Sequence, residues 1–279
     1  MKKKIIKSYA KINLSLNVLK KNKNNYHNIQ SIISFLDLYD LIYINPIKKK
    51  CHKIKFNGPF SEGLDNNTIL KLLLILEKKK ILTKKYNIQI RKNIPQQSGL
   101  GGGSMNAASL LKFFLKNKII YLSKNEIFKV SKEIGSDVFL GLNRKNSILV
   151  NNNKIKKFNL KLGLFTVLVK PPIGCSTKKI YRKVNIFSKS RVKISRKAFQ
   201  IESLKNAKND LEIPAFKFYP ILKKIKIFLS NINQVQFVRM TGSGSTIVAY
   251  FSNKKSAINA LKLVKKNFKN NWSILSKTI

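Results

Sequence analysis

Acid is what this sequence is shortest of. Eleven aspartates and glutamates stand against 57 lysines and arginines, a formal net charge of +46. A field of that sign attracts nucleic acid, anionic membrane surfaces and phosphorylated metabolites alike, so charge alone does not choose a partner. The lysines sit in almost every segment, mixed with Asn and Ile, as in "LKKNKNNYHN" and "LKLVKKNFKNNW". They are not gathered into one tail or stripe. That layout reads as compositional bias on solvated faces, and no specific nucleic-acid partner is expected.

Cysteine is nearly absent too. Cys51 and Cys175 have neither metal-ligand spacing nor enough company to staple so large a chain, which points to a reducing compartment. No stretch reaches the roughly 20 apolar residues of a membrane span. The basic start "MKKKIIKSYAKINL" is interrupted by Lys7, Lys11 and Asn13 and has no small-residue cleavage site after it. A cytoplasmic protein without a membrane partner is the expectation.

What is present is ample for a core: 279 residues, 43% of them hydrophobic, enough for one large or two modest domains. Ile12, Leu14, Leu16 and Val18 alternate with Lys11, Asn13, Ser15 and Asn17, the period of a half-buried strand on which Lys11 and Asn13 share the polar side. "TILKLLLILEKKK" (68–80) reads as a helix and "YNIQIRKNIP" (86–95) as a strand ended by its proline. Ser123 and Glu126 form a capping-box pattern opening a helix that closes at Gly135, and the loop "GSDV" follows. The polar stretch 151–163 places a domain boundary near Leu160, dividing residues 1–160 from 161–279. A strand "LFTVLVKPP", helices, a glycine turn at 239–251 and a last helix over 253–268 complete the pass.

The densest signal is "IPQQSGLGGGSMNAASLL". Gly99, Gly101, Gly102 and Gly103 leave the backbone open to close approach, and a helix starting near Ser104 adds roughly half a positive charge at its N-terminus. Together they suit a phosphate. A Walker loop would need Gly-Lys-Ser/Thr where Ser104, Met105 and Asn106 stand, and the dinucleotide pattern would need a glycine at Ser104.

This loop resembles the phosphate loop of the galacto-, homoserine, mevalonate and phosphomevalonate (GHMP) kinases. Six further segments resemble that family in order and spacing: "AKINLSLNV" with "NYHNIQSI", "NNTILK", "GSDVFL", "VKPPIGCSTKKIY", "NDLE" and "MTGSGST". The glycine triplet most resembles the branch that acts on a cytidylyl methylerythritol alcohol. The resemblance implies an α+β fold in two parts, an N-terminal half like ribosomal protein S5 domain 2 and a C-terminal ferredoxin-like half, with the active site in the cleft between them. It also implies an ATP-dependent transfer to the 2-hydroxyl of that alcohol, in the non-mevalonate route to isoprenoid precursors, with ATP as co-substrate and magnesium as the expected divalent ion. No metal-ligating residue is assigned.

Roles follow from the same resemblance. Asp137 falls on the family's catalytic aspartate and is expected to be the general base; Lys11 falls on the lysine that accompanies it. Asn67, Pro95, Gly99, Leu100, Gly101, Gly102, Gly103, Ser104 and Asn106 correspond to the ATP side. Asn13, Tyr26, His27, Thr177, Tyr181, Gly242, Ser243 and Gly244 correspond to the alcohol side, with the cytosine expected between Tyr26 and Tyr181. His52, the other histidine, lies in a lysine-rich stretch. Three segments depart from the family pattern: Met105 replaces a second loop serine, Phe139 a proline, and Asn152, Asn153 and Lys154 a Gly-x-Gly-Glu element. A basic nucleic-acid-binding module and a kinase of another small alcohol remain as alternatives at this stage. The former would need basic residues interleaved with aromatics on one face.

Overall fold

The computed structural model describes residues 3–21, 27–63, 67–151, 154–189 and 192–279. In chain order the elements are β1 (Lys4–Asn13), β2 (Asn17–Lys21), β3 (His27–Ile47), β4 (Lys53–Asn57), α1 (Thr68–Lys78), β5 (Lys85–Arg91), α2 (Gly102–Lys116), α3 (Lys124–Ile134), α4 (Val138–Gly141), β6 (Asn146–Asn151), β7 (Lys154–Phe158) and β8 (Phe165–Lys170). There follow α5 (Thr177–Tyr181), a 3₁₀ turn (Arg196–Phe199), α6 (Ile201–Asn206), α7 (Glu212–Phe218), α8 (Pro220–Ser230), β9 (Phe237–Met240), β10 (Ile247–Phe251), α9 (Lys254–Asn267) and β11 (Trp272–Lys277). Tertiary contacts divide the chain into two units: Met1–Lys11, Leu38–Gln96 and Gly101–Arg144 in the first, Ile12–Asp37, Gln97–Leu100 and Lys145–Ile279 in the second. The grouping interleaves segments and so differs from a single cut near Leu160, because β6 pairs with Ser31–Ile33 of β3 and β7 pairs with β6.

In the first unit β5 runs antiparallel to the C-terminal half of β3, Leu41 opposite Arg91, and β4 runs parallel to β5 across the α1 crossover. Alternation sets the faces. Ile42, Ile44, Ile88 and Ile90 are buried with Leu72, Leu73 and Leu76 of α1 and Leu110, Leu111 and Phe114 of α2, as apolar residues at periods 2 and 3.6 require. Asn67 caps α1, its Oδ1 accepting from the Leu70 N–H at 2.9 Å, and the capping box of Ser123 and Glu126 opens α3 as expected. α1 stops at Lys78, two residues short of the sequence reading, because Lys80 turns into the left-handed region at φ 56°.

The second unit holds a four-stranded antiparallel sheet in the order β11-β8-β10-β9. Numbered along the chain that order is fourth, first, third, second, with helices after the first and third strands, which is the ferredoxin-like arrangement. Val167, Val169, Ile247 and Ala249 pack against Leu222, Ile225 and Leu229 of α8 and Ala257, Ala260 and Val264 of α9. Among the described residues no helix is long and apolar enough to cross a membrane.

The 11–18 segment differs from the half-buried strand expected of it. β1 ends at Asn13, and Leu14 and Ser15 both direct their N–H groups to the Ile32 carbonyl. The polar side is buried as well: Asn13, Ser15 and Asn17 are at most 6% exposed, as is Lys11. Period-2 alternation there separates apolar from hydrogen-bonded neighbours, not core from water.

Candidate active site

In the first unit, α2 begins on Gly101 at φ 70°, a left-handed residue that costs a side-chain-bearing amino acid about 1–2 kcal/mol. A Cβ there would come within 2.8 Å of Lys11 Cγ, so the bare backbone also lets the lysine stem lie against the loop. The first helical hydrogen bond runs from Met105 N–H to the Gly101 carbonyl at 2.9 Å, and no side chain of the N-cap residue covers the turn. Helix geometry leaves the N–H groups of Gly102, Gly103 and Ser104 outside the helix ladder. Thr68, at the start of α1, donates its hydroxyl to the Gly103 carbonyl at 2.6 Å, tying the two helix starts together.

Asp137 follows α3 in the Gly-Ser-Asp loop and occupies the N-cap position of α4, yet its side chain makes no capping bond. Its Oδ2 lies 3.2 Å from Lys11 Nζ, the lysine side chain 7% and the aspartate 33% exposed. The loop runs beside the α2 start, since a Cβ on Gly135 would be 3.6 Å from Ser104 Oγ. A second ammonium feels the same carboxylate: burial holds Lys132 below the usual lysine range, and the Asp137 charge works against that shift. Lys132 also lies over the Phe128 ring, 5.5 Å from its centre, and Phe128 meets Phe139 edge-on at 5.1 Å. The aromatic at 139 is thereby packed.

Sequence reasoning missed Asp40. It is 0% exposed, its Oδ1 accepts from the N–H groups of Asn93 at 2.7 Å and Ile94 at 2.9 Å, and its Oδ2 accepts from Asn106 Nδ2 at 3.0 Å and from the Lys92 ammonium. These bonds end β5 at Arg91, short of the expected Pro95. Asn106, assigned to the ATP side, is 2% exposed, so its amide faces Asp40 inside the first unit. The signal was parity: Asp40 shares the inward register of Leu36, Leu38, Ile42 and Ile44. Leu100 and Pro95 are buried as well. Met105 is buried against Gly141, where a Cβ would meet its Sδ at 2.9 Å.

The second unit carries the alcohol-side assignments. Thr241 Oγ1 accepts from the Asn13 N–H at 3.0 Å and donates to the Gly99 carbonyl at 3.2 Å. A Cβ on Gly99 would fall 2.0 Å from the Thr241 carbonyl oxygen, which excludes any side chain there. Asn13 Nδ2 donates to Ser31 Oγ at 2.8 Å, and its Oδ1 would lie 3.5 Å from a Cβ on Gly242. Asn209 of "NDLE" donates to the carbonyls of Met240 and Gly242 at 2.7 and 2.8 Å, fixing the glycine turn. Thr177 and Ser243 share a hydroxyl hydrogen bond of 2.8 Å. His27 has Tyr181 5.1 Å away, centre to centre, and Phe187 at 6.5 Å. Phe187, 43% exposed, was not among the sequence assignments. Tyr26, Asn152 and Asn153 lie outside the described residues.

Comparison with known proteins gives concordant results. The model for the GHMP kinases N terminal domain matches residues 67–144 and that for the GHMP kinases C terminal domain residues 192–270. The 4-diphosphocytidyl-2-C-methyl-D-erythritol kinase of Pelagibacter ubique is 52% identical over 277 residues, 98% of each chain, and that of Caldicellulosiruptor saccharolyticus is 32% identical over 94% of this chain and 92% of its own. Among solved structures, a 4-(cytidine 5'-diphospho)-2C-methyl-D-erythritol kinase superposes with a TM-score of 0.78 at 23% identity, covering 98% of this chain and 99% of its own. An L. major mevalonate kinase in complex with R-mevalonate gives 0.69 at 15% identity, covering 99% of this chain and 96% of its own.

Proposed function

Because this chain belongs to the 4-diphosphocytidyl-2-C-methyl-D-erythritol kinase family of the GHMP kinases, we propose that it transfers the γ-phosphoryl group of ATP to the 2-hydroxyl of 4-diphosphocytidyl-2-C-methyl-D-erythritol, in the non-mevalonate route to isoprenoid precursors. The observation that carries the reading at the residue level is the Lys11–Asp137 pair, 3.2 Å apart, in the unit that also presents the uncapped start of α2.

Phosphoryl transfer asks a protein for positioning, charge neutralisation and a proton acceptor. Asp137 takes the proton of the attacking hydroxyl on a carboxylate oxygen, which its unspent capping position and partial exposure leave accessible. Lys11, 3.2 Å away, orients that carboxylate by opposite charge. The N–H groups at Gly102, Gly103 and Ser104, with the dipole of a 15-residue helix behind them, meet the phosphate oxygens. We assign Asn67, Pro95, Gly99 and Leu100 to the same nucleotide side, Leu100 and Pro95 through their backbone; Asn106, its amide bound to Asp40, serves that side only through the helix turn it holds. In sequence order we take residues 1–160 as an N-terminal ATP-binding domain and 161–279 as a C-terminal kinase domain, although tertiary contacts group 12–37, 97–100 and 145–160 with the latter.

Among the described residues no group of three or more His, Cys, Asp or Glu could hold a metal on its own. That donor set suits magnesium carried largely by phosphate oxygens, which needs only one or two protein ligands. The Ser104 hydroxyl would supply one, and the ion would neutralise charge on the transferred group.

Asn13, His27, Thr177, Tyr181 and the turn Gly242–Gly244 are assigned to the alcohol, together with Tyr26. The rings of His27, Tyr181 and Phe187 support a nucleobase subsite, since aromatic faces stack on any base. The test is ADP release by the purified chain with ATP and the cytidylyl alcohol, against mevalonate and homoserine as controls. Turnover with the cytidylyl alcohol alone is expected; release driven equally by mevalonate would reassign the substrate.

One observation favours a second property. On the first unit Lys3, Lys7 and Arg144 lie over the rings of Tyr43, Tyr39 and Tyr9 at 4.6, 4.7 and 4.3 Å, basic and aromatic side chains interleaved as in single-strand binders. These cations already cover the rings, and lysines are dispersed along the whole chain. Weak binding of single-stranded RNA without sequence preference, fading steeply with salt, is the expected outcome; a selective complex that survives about 200 mM salt would support a binding module.

A further inference from the structure

We infer that Asp40 is a positioning residue for the nucleotide loop: one buried carboxylate that pins the strand running into the glycines and the helix turn running out of them. The inference rests on the reading of that loop as the ATP site. On the entry side Asp40 Oδ1 accepts from both Asn93 and Ile94, the residues immediately before Pro95. On the exit side its Oδ2 accepts from Asn106, in the second turn of α2. Lys92 donates to the same oxygen and lies under the loop's end, its Nζ 3.3 Å from where a Cβ on Gly102 would sit.

Between these anchors run Gln97, Gly99 and Gly101, all at positive φ. Glycines of this kind carry the largest conformational freedom to lose. A segment so built reaches a phosphate-ready shape only when its ends are fixed, and the entropy of fixing them is met before ATP arrives. Both Asp40 oxygens are saturated by two donors each, leaving no lone pair for chemistry. The carboxylate can therefore act on the reaction only through the loop.

Removing Asp40 alone would strand a buried ammonium, so the test uses a Lys92→Met background. Asp40→Ala in that background deletes the pin without leaving a charge unpaired. Asp40→Asn keeps an acceptor for Asn93 and Ile94. It can also regain the third bond, because Asn106 Oδ1 has no hydrogen-bond partner of its own and an amide flip would turn it toward the new Nδ2. For Asp40→Ala/Lys92→Met, which deletes three hydrogen bonds to a charged group, we expect the KM for ATP to rise about tenfold or more. The KM for the cytidylyl alcohol and kcat at saturation should stay within about threefold, below the 1.4 kcal/mol that makes a factor of ten. Asp40→Asn/Lys92→Met should recover most of the ATP affinity.

A merely structural role would instead lower the active fraction, reducing kcat with both KM values unchanged, and would overturn the inference. Asn106→Ala, which loosens only the exit side and leaves the buried ion pair intact, guards against misfolding of the double variants. An unchanged ATP KM in Asn106→Ala would also overturn it. Wild-type turnover separates the two layers: an active wild type with unshifted variants removes the pin alone, whereas an inactive wild type removes the kinase reading and the pin's purpose with it.

Discussion

Asp40 and Asp137 belong to the same unit and stand beside the same glycine segment, yet they differ in everything that decides what a carboxylate can do. Asp40 has no exposed surface, and four donors occupy its oxygens. Asp137 is one-third exposed, meets Lys11 at 3.2 Å and caps nothing. A proton acceptor needs an open lone pair that substrate can reach, and only Asp137 has one. In a chain with eleven acids, scarcity marks residues as important without saying how. Hydrogen-bond saturation says how.

The comparison is broken most forcefully at the open carboxylate. Asp137→Asn is expected to keep its melting temperature and lose roughly 10²- to 10⁴-fold in kcat, the contribution of a positioned base. Lys11→Ala should be similarly harmful in steady-state assays, while Lys78→Ala, at an exposed position at the end of α1, should leave kcat alone. Equal losses at Lys11 and Lys78 would mean that location confers nothing on Lys11.

Next comes the backbone that the loop needs. Gly99→Ala would place a methyl 2.0 Å from the Thr241 carbonyl oxygen at φ 75°. Strain and overlap together should cost about 2 kcal/mol or more, and at 2–4 °C per kcal/mol for a chain of this size the melting temperature should fall by about 4–8 °C. A wild-type melt would show that the close approach yields freely.

A smaller effect is expected at the rings. Tyr181→Ala should raise the KM for the cytidylyl alcohol roughly 5- to 150-fold with little change for ATP, since one stacked base is worth about 1–3 kcal/mol. Tyr181→Phe should keep the stack. Phe187→Ala should act on the same KM and combine non-additively with Tyr181→Ala, both rings standing on His27. A shift confined to the ATP KM would take the rings out of the alcohol subsite.

The smallest concerns His52. Its Nδ1 accepts from the Tyr86 N–H at 3.0 Å, which puts the ring proton on Nε2, 3.0 Å from Glu77 Oε1. Burial, the largest cause, depresses its pKa. The unfolded chain therefore binds a proton, near the ordinary value of about 6.5, before the folded chain does, and stability should decline as pH falls below that value. A melting temperature rising from pH 7 to pH 5.5, or a decline unaltered by His52→Gln, would contradict this.

How much of this was legible in the sequence depended on locality. The helix starts at Asn67 and Ser123 follow from caps a few residues long, and β8 and α9 from short-range periodicity, whereas β10 lay inside what was read as a glycine turn. The 21-residue β3 was not read, although its inward parity is regular from Leu36 to Ile44. Asp40 stayed hidden because its donors are 52–66 residues away, a relation that periodicity does not encode. Phe187 was missed for the same reason: only the fold brings it to His27, 160 residues earlier by number. Lys11 was singled out by family resemblance, and its burial beside Asp137 gives that choice a physical form.

The central claim is that one of these carboxylates acts on the chemical step and the other on the loop. It is tested most directly by the single-turnover rate of phosphoryl transfer with both substrates saturating, measured for Asp137→Asn and for Asp40→Ala/Lys92→Met beside the wild type. A rate at least about 100-fold slower in Asp137→Asn, with the double variant within about threefold of wild type, is the expected result. A wild-type rate in Asp137→Asn, or an equal loss in both, would contradict the account.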